Sequence, residues 1–166
     1  SAPRPMDSRL APLAHLVALN TRLFGSCLDG LTDEQAHVRV ADGTNHIAFL
    51  AAHMVESRYW ALSLLGVTLE NPLAPALAGA RTLDDVKDPL PLDATRGAWA
   101  TVSEALHRAM ETASGEQLDA PSKLPIPGVQ QTILGAIAFV IQHDAYHLGQ
   151  LSLLRRQLGM PAMSYI

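Results

Sequence analysis

The sequence predicts an all-α fold: a four-helix bundle with a long crossover between its second and third helices. Four stretches repeat apolar residues at the helical period, and glycines and prolines punctuate the gaps between them. No run alternates long enough to make a strand. The 166 residues suit one domain, 1–166, large enough to bury most of its apolar surface.

In the first helix, Asp7 or Ser8 is placed to cap the start and Pro12 is tolerated near it. Leu13, Leu16, Val17, Leu23, Phe24 and Cys27 form its apolar stripe, and Gly30 ends it. Asn20 falls on that stripe, either as a satisfied core amide or as part of a binding-pocket wall. Thr32 with Gln35 is a capping-box pattern for a short turn. Thr44 can cap a second helix over about 45–65, which is apolar almost all round and stopped by Gly66. Such a helix needs cover on more than one side, from its own bundle and from a second subunit. The connection 66–92 is far longer than most loops, and a long crossover lets consecutive helices run parallel. A third helix spans about 93–114, with Trp99, Val102, Leu106, Met110 and Ala113 inward and Gly115 closing it. The fourth runs from about 131 to 158, where Gly159 and Pro161 stop it.

Composition excludes several classes. Nearly half the residues are hydrophobic and 17% are charged, which argues against disorder. The net charge of −4 and scattered basic residues offer no stripe for nucleic acid. The longest apolar run, 133–141, is too short to span a bilayer. A single cysteine, Cys27, cannot form an internal disulfide and fits a reducing, cytoplasmic setting. Ten arginines against two lysines, in an Ala- and Leu-rich chain, point to a bacterial source.

The chemistry concentrates in the fourth helix. His143 and His147 are four residues apart, so they share one face and can converge on one ion. Their face also carries Ala136, Phe139, Val140, Leu151 and Leu154, a stripe expected to point into the core. His53 stands in the apolar second helix and supplies a third ring. Three histidines with one open position form a catalytic-type zinc set, whereas closed structural sites want four ligands, mostly cysteine. The alternative is that each ring is a core group satisfied separately. Gln150, three after His147, stays on the same face, to orient a ligand or bound water or to pack as an amide. Glu56 lies one turn beyond His53. Asp144 is expected to be exposed or paired with an arginine. His15, His37 and His107 read as surface groups, and His46 as too far along the helix to share the ion.

The run His143-Asp144-Ala145-Tyr146-His147-Leu148-Gly149-Gln150, followed by Leu154-Arg155-Arg156-Gln157-Leu158-Gly159, resembles the last helix of the DinB/YfiT-like metalloenzyme family. His53 within Leu50-Ala51-Ala52-His53-Met54, Asn20, and the turn Leu31-Thr32-Asp33-Glu34 resemble that family's other marks. The resemblance covers nearly the whole chain. It implies up-down-down-up helix order, a three-histidine divalent-metal site and a homodimer. For function it implies a transferase or isomerase that uses a low-molecular-weight thiol on a small-molecule substrate. Zinc is the first expectation for the metal, with nickel or iron as alternatives.

Three rival readings follow from the residues. A non-catalytic metal- or small-ligand-binding stress-response module needs no exchangeable water on the ion. A metal-dependent hydrolase would use bound hydroxide, because no nucleophile other than the buried Cys27 stands out. A di-iron site would need Glu-x-x-His on two helices. Glu34 to His37 and Glu104 to His107 have that spacing, but the first lies in a connecting turn and the fourth helix holds no glutamate.

Overall fold

A computed structural model describes residues 2–166. Among them are seven α-helices, one short 3-10 turn and no strand, so the all-helical expectation holds. The long helices are α1 (Ala11–Leu28), α3 (Ile47–Leu64), α5 (Leu92–Thr112) and α7 (Ile133–Gln157). The short helices α2 (Asp33–Ala36), α4 (Ala74–Leu77) and α6 (Gly115–Asp119) occupy the connections, as does the turn Leu83–Asp85. Helix α1 packs on α5 and α7, and α3 packs on the same two. The side-chain contacts fix relative directions. Asn20 reaches the Ile141 carbonyl and Cys27 the Leu148 carbonyl, so α1 and α7 advance together. Trp99 reaches the Thr21 carbonyl while Arg96 reaches that of Leu28, so α1 and α5 run oppositely.

Local signals explain most boundaries. Thr32 and Gln35 form the expected capping box on α2, and Thr82 with Asp85 form another on the 3-10 turn. Thr132 caps α7 by accepting from the Gly135 amide. Gly135 itself is required, because a Cβ there would collide with the Gln130 carbonyl. Gly66 and Gly159 leave their helices at φ of +80° and +83°, the left-handed region that favours glycine.

Four expectations are corrected. Helix α1 starts at Ala11 without a side-chain cap, since Asp7 is drawn into a two-point pair with Arg9. Gly115 does not close α5; it opens α6, which Ser114 caps through the Gln117 amide. Thr44 does not cap α3. The cap is His46, whose Nδ1 accepts from the Phe49 amide at 3.0 Å. His37 is not a free surface ring: its Nδ1–H donates to the Asp33 carbonyl and its Nε2 accepts from the Leu90 amide, pinning the crossover to α2.

The cover for α3 comes from within the chain. Twelve of its residues, from Ile47 to Leu62, are buried without any second subunit. Helices α5 and α7 flank it, and the crossover contributes the buried Leu73, Leu77, Leu83 and Leu90 to the same core. Only the stripe of His53, Glu56, Ser57, Trp60, Ser63 and Leu64 is left partly or wholly exposed.

The His46 cap makes the start of α3 sensitive to acid. Only the neutral ring can accept from Phe49, and burial, the nearby His37 and Arg39 all hold its pKa below the ordinary value. In the unfolded chain a histidine titrates near about 6.5. The stabilising contribution is thus complete above that pH and is lost as pH falls toward the lower folded value. His46→Ala should cost about 1 kcal/mol in urea denaturation at pH 7.5. His46→Asn should keep the cap and flatten the loss of stability below pH 6.5.

Candidate metal centre

Opposite the core, α3 and α7 bring three imidazoles together. His53 Nε2 lies 2.9 Å from His143 Nε2, and His147 Nε2 lies 3.1 Å from the same atom. The three sets of candidate ligand atoms fall within 4.8 Å of one another. A tetrahedral zinc with bonds of about 2.0–2.1 Å would separate its nitrogens by roughly 3.3 Å. The two separations from His143 therefore need to open by only a few tenths of an ångström, and with all three donors within 4.8 Å the set fits an ion.

The protonation states suit metal binding. Burial, then His147 and His53, hold the His143 pKa down at about 4. Burial also depresses that of His147, against the pull of Gln150. Both rings are neutral at pH 7. His147 Nδ1–H donates to Gln150 Oε1 at 2.6 Å, which places the proton on Nδ1 and leaves the Nε2 lone pair facing the cluster. His53 has Glu56 at 3.9 Å from its Nδ1, too long for a hydrogen bond. His143 Nδ1 is buried without a partner. With no ion, an Nε2–H on His143 can be shared with its two neighbours; an ion would drive that proton to the orphaned Nδ1.

The cluster sits at the lip of the α3–α7 seam: His147 is buried as the stripe suggested, and the other two rings are not. The His53 side chain is 36% exposed, and His143 is half-buried. Phe49 stacks parallel to His53 with centroids 6.3 Å apart, Phe139 lies 6.2 Å from His143, and Tyr146 meets His147 edge-on at 5.2 Å. This aromatic collar lowers the local polarity, while exposed Tyr146 and Glu56 mark the rim.

Immediately behind the rings lies a group that sequence reasoning missed. Arg58 is fully buried and pairs through Nε and Nη2, each at 2.9 Å, with Asp144 Oδ2. Its Nη1 donates to Thr21 Oγ1 and Ser103 Oγ, Nη2 to the Val17 carbonyl, and the guanidinium lies 3.8 Å from the Trp99 ring centroid. Asp144 does pair with an arginine, though buried. Burial pushes its carboxyl up, and Arg58 pulls it back. The available signal was that Arg58 is the only cation in α3 and Asp144 the only acid in α7.

The remaining residues fall outside the cluster. Asn20 is a core amide on α1, donating to the Ile141 carbonyl two residues before His143. Cys27 is buried, and desolvation raises its thiol to about 11. Gly149 faces open space, so no helix closes on it within the chain. On the surface of α5 Glu104 pairs with Arg108 and His107 lies 3.2 Å from Glu111, which leaves the di-iron arrangement without convergence.

Protein purified without nickel should hold about one divalent ion per chain, and His143→Ala/His147→Ala should hold none. Elemental analysis of untagged protein measures this. Gln150→Ala should weaken metal binding by about 10–100-fold in a chelator competition, with Gln150→Glu restoring most of it. Arg58→Ala should cost about 3–5 kcal/mol by leaving Asp144 buried and unpaired, while Arg58→Met/Asp144→Leu should recover most of that loss. Urea unfolding of the two variants separates these outcomes.

The chain matches the family model of the DinB superfamily over residues 17–151. No curated protein and no solved structure matches the chain. The matched span holds α3 with His53 and the part of α7 carrying His143, His147 and Gln150, and this chain belongs to the DinB superfamily.

Proposed function

We propose that this protein is a divalent-metal enzyme that activates a low-molecular-weight thiol for transfer to, or isomerisation of, a small electrophilic substrate. The observation that carries this reading is the convergence of three Nε2 atoms, with the His147 tautomer set by Gln150. A divalent ion held by three neutral nitrogens keeps its full charge and lowers the pKa of a thiol in its remaining position. Zinc suits the set best, with nickel or iron as alternatives. The chain's own residues do the rest. His53, His143 and His147 hold the ion, and Gln150 fixes one ring. Phe49, Phe139 and Tyr146 surround the rings with low polarity, which strengthens attraction for a thiolate. The thiol must come from outside, because the single cysteine is buried and its proton is held tightly.

The contact directions favour an up-down-down-up bundle, with α1 and α7 parallel and α5 antiparallel to α1. The single, buried cysteine supports the reducing, cytoplasmic setting we propose; among the described residues no helix is long and apolar enough to cross a membrane. A homodimer, which the resemblance implies, would have the half-buried Trp60 and Leu64 of α3 among its available apolar surface. A metal-dependent hydrolase using bound hydroxide is the second reading; Glu56, the carboxylate beside His53, lies 3.9 Å from its Nδ1 rather than at the Nε2 cluster.

Cobalt-substituted protein tests the choice. Millimolar ethanethiol should produce a sulfur-to-metal charge-transfer band that disappears in His147→Ala. A spectrum that responds to azide and ignores thiol would favour the hydrolase. A spectrum that ignores both would leave a non-catalytic metal-binding module.

A further inference from the structure

One helical turn from the rings, on the side marked by Gln150, lies a recess of about 400 Å³. Its walls come from the segment before α3 and from the last turns of α7. Thr44, Asn45, Gln150 and Gln157 supply its polar groups, and Leu50 and Leu153 contribute apolar wall. No residue lining it carries a charge.

Gln150 belongs to both places. Its Oε1 is committed to His147 Nδ1–H, so its amide hydrogens are left to donate away from the ring. Among the described residues, none hydrogen-bonds the side chains of Asn45 or Gln157, and each presents both a donor and an acceptor. A neutral carboxamide matches this set: its carbonyl can accept from Gln150, and its NH2 can donate to Asn45 or Gln157. A carboxylate matches it poorly, because it would lose its hydration with no cation in the walls to compensate. Leu50 and Gln150 are each three residues from a ring-bearing position, so the recess and the rings are about 5 Å apart along the helices. A short molecule can reach both.

We propose that this recess binds the neutral, amide-bearing tail of the thiol ligand, and so selects uncharged thiols over carboxylate ones. The proposal rests on the thiol reading above, and the experiment separates the two. Cobalt-loaded protein is titrated with ethanethiol, 3-mercaptopropionamide and 3-mercaptopropionate at one pH, with each affinity corrected for the thiol's own acidity. The amide should bind about tenfold tighter than ethanethiol, the scale of one net hydrogen bond, and the carboxylate no tighter than ethanethiol. In Asn45→Leu/Gln157→Leu that advantage should vanish while ethanethiol binding is unchanged. Equal binding of amide and carboxylate by the wild type, or an advantage that survives in the variant, overturns the proposal.

A cobalt spectrum that does not respond to ethanethiol overturns the thiol reading instead. The recess is then judged in metal-free, nitrogen-15-labelled protein. Propionamide at millimolar concentration should shift the side-chain amide signals of Asn45, Gln150 and Gln157, and propionate should not. Unmoved signals overturn the recess as an amide site, and the same measurement serves if the double variant fails to fold.

Discussion

The ion pair between Arg58 and Asp144 is the constraint on which the rest of the molecule depends. Both side chains are taken wholly out of water, at a desolvation cost of several kcal/mol per ion. That cost is offset only because Arg58 spends its donors on Asp144, Thr21, Ser103 and the Val17 carbonyl while its face lies on Trp99. Those partners sit on α1, α5 and α7, so one side chain of α3 sets the spacing of all four long helices. An apolar replacement could pack as tightly, but it would not fix the rotation of α3 against α7 in the same way. The histidines need that rotation. Asp144 follows His143 directly, and Arg58 lies five residues after His53, so registering the ion pair on the core side registers the rings on the lip.

This division of faces explains the character of α3. A helix with one buried stripe would have carried its histidine on the polar side, next to charges. Here the first turns, Ile47 to Ala52, are buried on every side, and an open stripe begins only at His53 and runs through Glu56, Ser57, Trp60 and Ser63. Its two polar commitments point in different directions, Arg58 inward and His53 outward. The ring is left among aromatic neighbours with one carboxylate nearby, and burial can hold its partners His143 and His147 neutral.

The sequence was most legible where the signal is periodic and local. The i, i+4 spacing of His143 and His147, the lone His53 in an apolar run and Gln150 three residues on were all visible. So were the long helices, because apolar recurrence and terminal glycines mark them directly. What could not be read were pairings across distance. Arg58 and Asp144 are 86 residues apart, and nothing local in either helix names the other. His37 and Leu90 are joined for a reason that exists only once the crossover has folded back. At the start of α3, intrinsic preference favours Thr44 as the cap. The chain instead uses Thr44 in a turn, its amide bonded to the Ala41 carbonyl, and leaves the cap to the buried His46 two residues later.

Burial of the stripe on α7 holds for Ala136, Val140, His147, Leu151 and Leu154 but only in part for Phe139 and His143, and the reason is geometric. A stripe wide enough for Ala136, Val140, Leu151 and Leu154 to be buried has edges, and the histidines occupy one of them. Set in the core, three rings would satisfy one another or a closed ion, and no outside molecule could reach them. Set in open water, they would titrate near pH 6.5 and compete with protons for any metal. The lip between α3 and α7 lies between these limits. Desolvation is sufficient to keep His143 and His147 unprotonated at neutral pH, and His53 remains accessible. The same position leaves the rings beside the amide-lined recess, so the depth of the histidines determines both how they meet a metal and which molecules can come to it.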